Sequence, residues 1–78
     1  MDKEKLMALV GVGLDETERL SQELGRPIDV DRSALVMLAR ITMRQPDGED
    51  YMRAHVRILV EDMVRRFPDR PAYKYEYE

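Results

Sequence analysis

The sequence predicts a small all-α fold, a bundle of three to four helices over residues 1–67, followed by an extended, tyrosine-rich C-terminal tail over residues 68–78. Apolar residues recur at helical spacing along most of the chain, and a glycine or proline stands where each periodic segment ends. A chain of 78 residues forms one domain. Its single core is marginal, because a domain of this size buries only about 60% of the surface that its unfolded chain exposes.

The first helical segment, residues 2–24, contains an interruption and a second start signal. Gly11 and Gly13 lie inside it, and Asp15 precedes a glutamate at the spacing of a capping box. A glycine within a helix costs about 1 kcal/mol relative to alanine. The sequence therefore leaves open whether this segment is one kinked helix or two. Gly25 stands at the position that ends it.

Two further helices are indicated by capping aspartates and by the prolines that end them. Asp31 is the predicted N-cap of a central helix that runs to about Gln45, and Asp47 is that of a last helix, residues 48–67. An apolar stripe at helical spacing follows the last helix: Met52, Val56, Leu59, Val60, Met63 and Phe67. The opposite side carries a charged row at intervals of four: Glu49, Arg53, Arg57, Glu61 and Arg65. Most neighbours in this row differ in sign, so we expect ion pairs within the helix.

The central helix differs from the others because apolar residues surround most of its circumference. They are Ala34, Leu35, Val36, Met37, Leu38, Ala39, Ile41 and Met43. Two flanking helices in so short a chain cannot cover this surface, and no cysteine is present to form a disulfide. We therefore expect a homodimer that joins mainly through the central helix, which would also stabilise a marginal core.

The tail places Tyr73, Tyr75 and Tyr77 at a period of two, on one face of an extended chain. A lone strand pairs with another strand, packs on the helices or stays disordered, and the sequence leaves these alternatives open. Tyrosine is enriched at interfaces because it buries area and keeps a hydrogen-bonding tip. The tail is therefore a candidate for partner binding.

The composition gives little support to catalysis or metal binding. His55 is the only histidine, cysteine is absent, and neither Ser21 nor Ser33 has the context of a nucleophile. We therefore predict no catalytic residue, no metal site, no cofactor and no enzymatic activity, with His55 as a boundary residue of the last helix. The lack of cysteine fits a reducing compartment, and no apolar run approaches a membrane span. We expect a cytoplasmic protein without membrane association.

These observations favour a non-enzymatic protein–protein interaction module, such as an adaptor, assembly factor or inhibitor, that acts as a homodimer. Its candidate partner-binding residues are Leu35, Met37, Leu38, Ile41, Tyr73, Tyr75 and Tyr77. The alternative is a DNA-binding transcriptional regulator with a divergent helix-turn-helix at residues 15–45. A connection of about six residues and an apolar second helix argue against that alternative. A net charge of −3 also argues against nucleic acid as the partner.

Overall fold

The computed structural model describes residues 2–69 and the backbone of residues 73–75. In chain order its elements are α1 (Asp2–Leu24), β1 (Ile28–Val30), α2 (Arg32–Thr42), α3 (Gly48–Arg66) and β2 (Tyr73–Tyr75). The fold is small and mostly helical, as the sequence predicts. The described part of the chain also contains a two-stranded parallel sheet of β1 and β2, which the sequence analysis did not predict.

The sequence left open whether residues 2–24 form one helix or two, and in the structure they form the single helix α1 of 23 residues. Gly11 lies on its exposed side, where an added Cβ would meet no atom within 4 Å. At Gly13 a Cβ would come within 2.7 Å of Met52 Cε and 2.9 Å of Leu35 Cδ2. The missing side chain at Gly13 therefore lets α2 and α3 approach α1, and this packing offsets the helix penalty of glycine. Asp15, which has the spacing of a capping box, lies inside α1 and begins no new helix.

The sheet forms where the chain leaves α1 and where its tail returns. Gly25 ends α1 with φ of 66°, in the left-handed region that favours glycine, as predicted. Ile28 lies opposite Tyr73 and Val30 opposite Tyr75 in the parallel register. Of the predicted extended tail, residues 73–75 form the strand β2. Tyr77, the third tyrosine that was predicted to bind a partner, lies outside the described residues.

The two later helices begin after the predicted N-cap residues. Asp31 Oδ1 accepts a hydrogen bond of 3.0 Å from the backbone N–H of Ser33. Asp47 occupies the N-cap position of α3, but its side chain makes no capping hydrogen bond. The second helix ends at Thr42 and not near Gln45, because the N–H of Gln45 donates to Thr42 O at 3.0 Å and turns the chain toward α3.

The core lies where the three helices meet, and β1 adds one side chain to it. Its buried apolar residues are Leu9, Val10, Leu20, Val30, Ala34, Leu35, Ala39, Met52, Val56, Val60 and Met63. The predicted apolar stripe of α3 is confirmed at the four positions that belong to this core. Its other two members differ, since Leu59 is half-buried and Phe67 is 44% exposed just beyond the end of α3.

Candidate binding surface

Two arginines of α3 hold this helix against α1. Arg53 Nη1 lies 2.8 Å from Asp15 Oδ2 and 2.9 Å from Glu16 Oε1. Hydrogen bonds to the carboxylates of Asp15 and Glu16 raise the pKa of the Arg53 guanidinium. Arg57 Nη2 lies 3.2 Å from Glu23 Oε2. The expected pairing within α3 is therefore wrong for both arginines, because acids of α1 come within reach of them.

The centre of this contact, Glu16, is a buried carboxylate with 4% exposure. Besides Arg53, Glu16 contacts Arg57 at 3.7 Å and Arg19 at 3.5 Å. A buried charge is costly unless it is paired, and here three guanidinium groups surround it. These arginines are paired with acids of α1. We call this set of ion pairs the α1–α3 seam.

A second group of basic side chains lies along α2 and beside the start of α1. Two depressions, each of about 410 Å³, adjoin at Arg40, which lines both. Together they form a surface that we call the α2 groove. It is lined by Asp2, Lys3, Lys5, Leu6, Arg32, Ser33, Val36, Met37, Arg40, Met43 and Arg44.

The α2 groove is positive, and its bases form no ion pair within the described residues 2–69. Its five bases and one acid give a net charge of +4, whereas the whole chain carries −3. Within residues 2–69, none of the five bases takes part in an ion pair. No acidic residue occurs between Arg32 and Gln45 to neutralise α2 from within. The bases are therefore available to an outside partner.

Apolar side chains lie among these bases. Met37 is 40% exposed, and Ile41, one turn further along the outer side of α2, is 55% exposed. Leu6, Val36 and Met43 are half-buried in the groove. Methionine adapts its shape to different partners, and exposed apolar groups rimmed by polar ones are typical of interaction sites. The surface thus combines an apolar centre with a basic rim.

The predicted partner-binding residues divide between this surface and other places. Met37 is exposed on it, Ile41 is exposed beside it, and Leu38 is half-buried on α2. Leu35 has no exposed surface and belongs to the core, so it is not part of the candidate surface. The two tyrosines of β2 lie in a strand whose backbone pairs with β1, so the segment serves the fold.

Sequence reasoning missed the basic side of the groove. Neither the arginines Arg40 and Arg44 nor the lysines Lys3 and Lys5 were among the predicted binding residues. More than thirty residues separate the lysines from the arginines in the chain, and only the packing of α1 against α2 brings them together. The signal that the sequence did offer was the absence of any acid among residues 32–45.

The candidate chemical residues occupy structural positions. Ser21 Oγ donates to Arg26 O at 2.6 Å in the turn after α1, and Ser33 lies in the capped first turn of α2. His55 is half-buried on α3. Across the described parts of the chain, no three His, Asp or Glu side chains converge in a metal-binding arrangement. None of the helices in those parts has the length and apolar character needed to cross a membrane.

Comparison with protein-family models, with curated proteins and with solved structures finds no significant match to this chain. Functional conclusions therefore depend on the residues of the α2 groove and of the α1–α3 seam.

Proposed function

We propose that this chain is a small, non-enzymatic protein–protein interaction module that binds its partner on the α2 groove. The observation that carries the proposal is a group of five bases, none of them in an ion pair within residues 2–69, around apolar side chains that include the exposed Met37. The proposal includes a cytoplasmic location, which the absence of cysteine supports.

Binding would combine two physical contributions. Apolar side chains of the partner cover Met37 and Ile41, and each Å² of apolar surface removed from water contributes about 25 cal/mol. Acids of the partner pair with the rim, which accelerates encounter and fixes the orientation more than it adds affinity. The helix that lines the groove, α2, has 11 residues and so extends over about 16 Å at helical rise, or roughly three turns. Such a module acts by bridging two proteins or by occluding one.

The homodimer predicted from the sequence is one form of this interaction, with a second copy on α2. The exposure of Met37 and Ile41 in the single chain supports it, because a partner would remove both from water. The native mass measured by light scattering over a range of concentrations tests this form. A dimer has twice the 9.2 kDa of one chain.

A DNA-binding regulator is the second candidate. The observation that favours it concerns α2, the second helix of the possible helix-turn-helix at residues 15–45: Arg32 and Arg40 on it, and Arg44 just after it, form no ion pair within residues 2–69. Two observations weigh against it. β1 stands between α1 and α2 where that motif has a short turn, and the exposed Met37 offers no hydrogen bond to a base edge.

Photo-crosslinking in the host cell tests the proposal with a matched pair of positions. A benzophenone amino acid replaces either Ile41, beside the groove, or Ile58, on the outer side of α3. The two isoleucines are 55% and 61% exposed, so both substitutions leave the core intact. We expect protein adducts of defined mass from position 41 and none of comparable yield from position 58.

The nature of the adduct distinguishes the candidates. An adduct of two chains identifies the homodimer, and an adduct with another protein identifies a heterologous partner. A nucleic-acid adduct from position 41 would replace the proposal with the DNA-binding candidate. Equal yields at both positions, or none at either, would contradict a specific binding surface on α2.

A further inference from the structure

We infer that the occupant of the α2 groove is an acidic amphipathic helix of a different protein. This inference rests on the proposed function and adds the chemistry of the partner. It follows from the charge, the length and the apolar centre of the groove.

The charge distribution of the chain favours an acidic ligand at this one place. The groove carries +4 and the whole chain −3, so the remaining residues together carry −7. A segment rich in Asp and Glu is attracted to the groove and repelled by the rest of the surface, which orients it before contact. Arg40 lines both depressions, so one acid of the ligand can reach it from either half of the groove.

The shape and the apolar centre favour a helix over an extended peptide. The groove follows α2 for about three helical turns, and Val36, Met37 and Met43 lie among its bases. An amphipathic helix presents apolar anchors at i, i+3 or i+4, and i+7 over this length, with polar residues on both flanks. Acids on the flanks then lie beside the arginine and lysine rim while the anchors cover the methionines.

A second copy of this chain fits the groove less well. Two-fold pairing of α2 with α2 sets the same helix against itself, and residues 32–45 contain three arginines and no acid. Like charges then meet at the rim and raise the free energy of the complex. The phosphates of duplex DNA would pair with the basic rim, but Met37 and Ile41 would then face a polar groove of the DNA.

A peptide-display selection on the full-length chain tests the inference without a known partner. The probe is a library of amphipathic helices of about fourteen residues, with leucine fixed at the anchor spacing and all flanking positions randomised. We expect Asp and Glu to be enriched at the flanks of the selected peptides. The best peptide should bind more weakly as salt is raised, because its ion pairs are exposed.

Charge reversal in the groove supplies the decisive comparison. The R40E/R44E variant should bind the selected acidic peptide about tenfold or more weakly, and it should select basic flanks from the same library. The control variant R65E/R66E makes the same change of net charge at the end of α3, and both of its arginines pair only with Asp62 in the described residues. This control should select acidic flanks, as the wild type does.

Several outcomes overturn the inference. The first is that the wild type selects peptides whose flanks are not enriched in acids. The second is that both charge-reversal variants lose peptide binding equally. The third is that the chain binds duplex DNA more tightly than the best peptide at about 150 mM salt. A wild-type dimer that excludes every peptide makes the second copy the occupant. Protein adducts from position 41 together with any of these peptide results leave the proposed function intact and remove only the acidic helix. Failure of the crosslinking removes both.

Discussion

Arginine occurs on both sides of this molecule, and its surroundings differ completely between them. At the α1–α3 seam, Arg53 and Arg57 reach carboxylates of α1, one of them the buried Glu16. On the α2 groove, Arg32 and Arg40 reach no acid among residues 2–69. The same residue type thus fastens two helices in one place and stays available for a ligand in the other. What decides between the two is the element that the fold places opposite each arginine.

The apolar residues of α2 show the same division over a single helical turn. Leu35 points into the core with no exposed surface, whereas Met37, two residues later, is 40% exposed. A helix turns by about 100° per residue, so neighbours in the sequence lie on different sides. One side of α2 therefore packs in the core, and the other side is exposed.

The largest expected effect separates these two sides of α2. Leu35→Ala removes a fully buried side chain and leaves a cavity beside Gly13, which should lower the free energy of unfolding by about 3 kcal/mol. Met37→Ala removes an exposed side chain and should change it by less than about 0.5 kcal/mol. Urea denaturation followed by circular dichroism measures both. Similar losses in the two variants would mean that the outer side of α2 is also structural.

A smaller effect separates acids on the two sides of α1. Glu16→Ala removes the carboxylate that Arg53 and Arg57 share, and should destabilise the chain by about 1 to 2 kcal/mol. The loss stays below that of a fully buried pair because both arginines reach water and keep another acid. The control Glu18→Ala changes an exposed acid of the same helix and should have an effect within about 0.5 kcal/mol. Urea denaturation followed by circular dichroism measures both variants. An unchanged urea midpoint for Glu16→Ala would show that the α1–α3 seam contributes no stability.

Most of the helical architecture could be predicted from local sequence. The apolar spacing in α3, the cap at Asp31 and the left-handed Gly25 are each specified by residues within one or two turns. The sheet could not be predicted in this way, because each strand has three residues and its partner lies more than forty residues away. The continuity of α1 through Gly13 also depends on distant residues, since the glycine is required by Leu35 and Met52.

The candidate site was predictable only in part for the same reason. The surplus of apolar residues on α2 identified the helix, and the exposure of Met37 and Ile41 follows from it. Which apolar residues face outward depended on how α2 docks, so Leu35 was included among the candidates although it is buried. The pairing of the α3 arginines with α1 could not be predicted either. The sequence offers acids four residues away within α3, and only the packing of the two helices brings the acids of α1 within reach.

The smallest expected effect compares an arginine from each side directly. Arg57→Ala removes a partly exposed guanidinium from Glu23 and Glu16, so the free energy of unfolding should fall by about 0.5 to 1 kcal/mol. Arg32→Ala should raise the free energy of unfolding by about 0.3 kcal/mol or leave it unchanged, because a positive charge in the first turn of α2 opposes the helix dipole and Arg32 forms no ion pair within residues 2–69. Urea midpoints at low and high salt measure the pair, and added salt should reduce both differences. If Arg32→Ala destabilises the chain as much as Arg57→Ala does, Arg32 has a structural partner and the division between seam and groove fails at that position. A neutral or positive change there means that α2 keeps an arginine which does not stabilise the fold, as expected of a residue whose partner is another molecule.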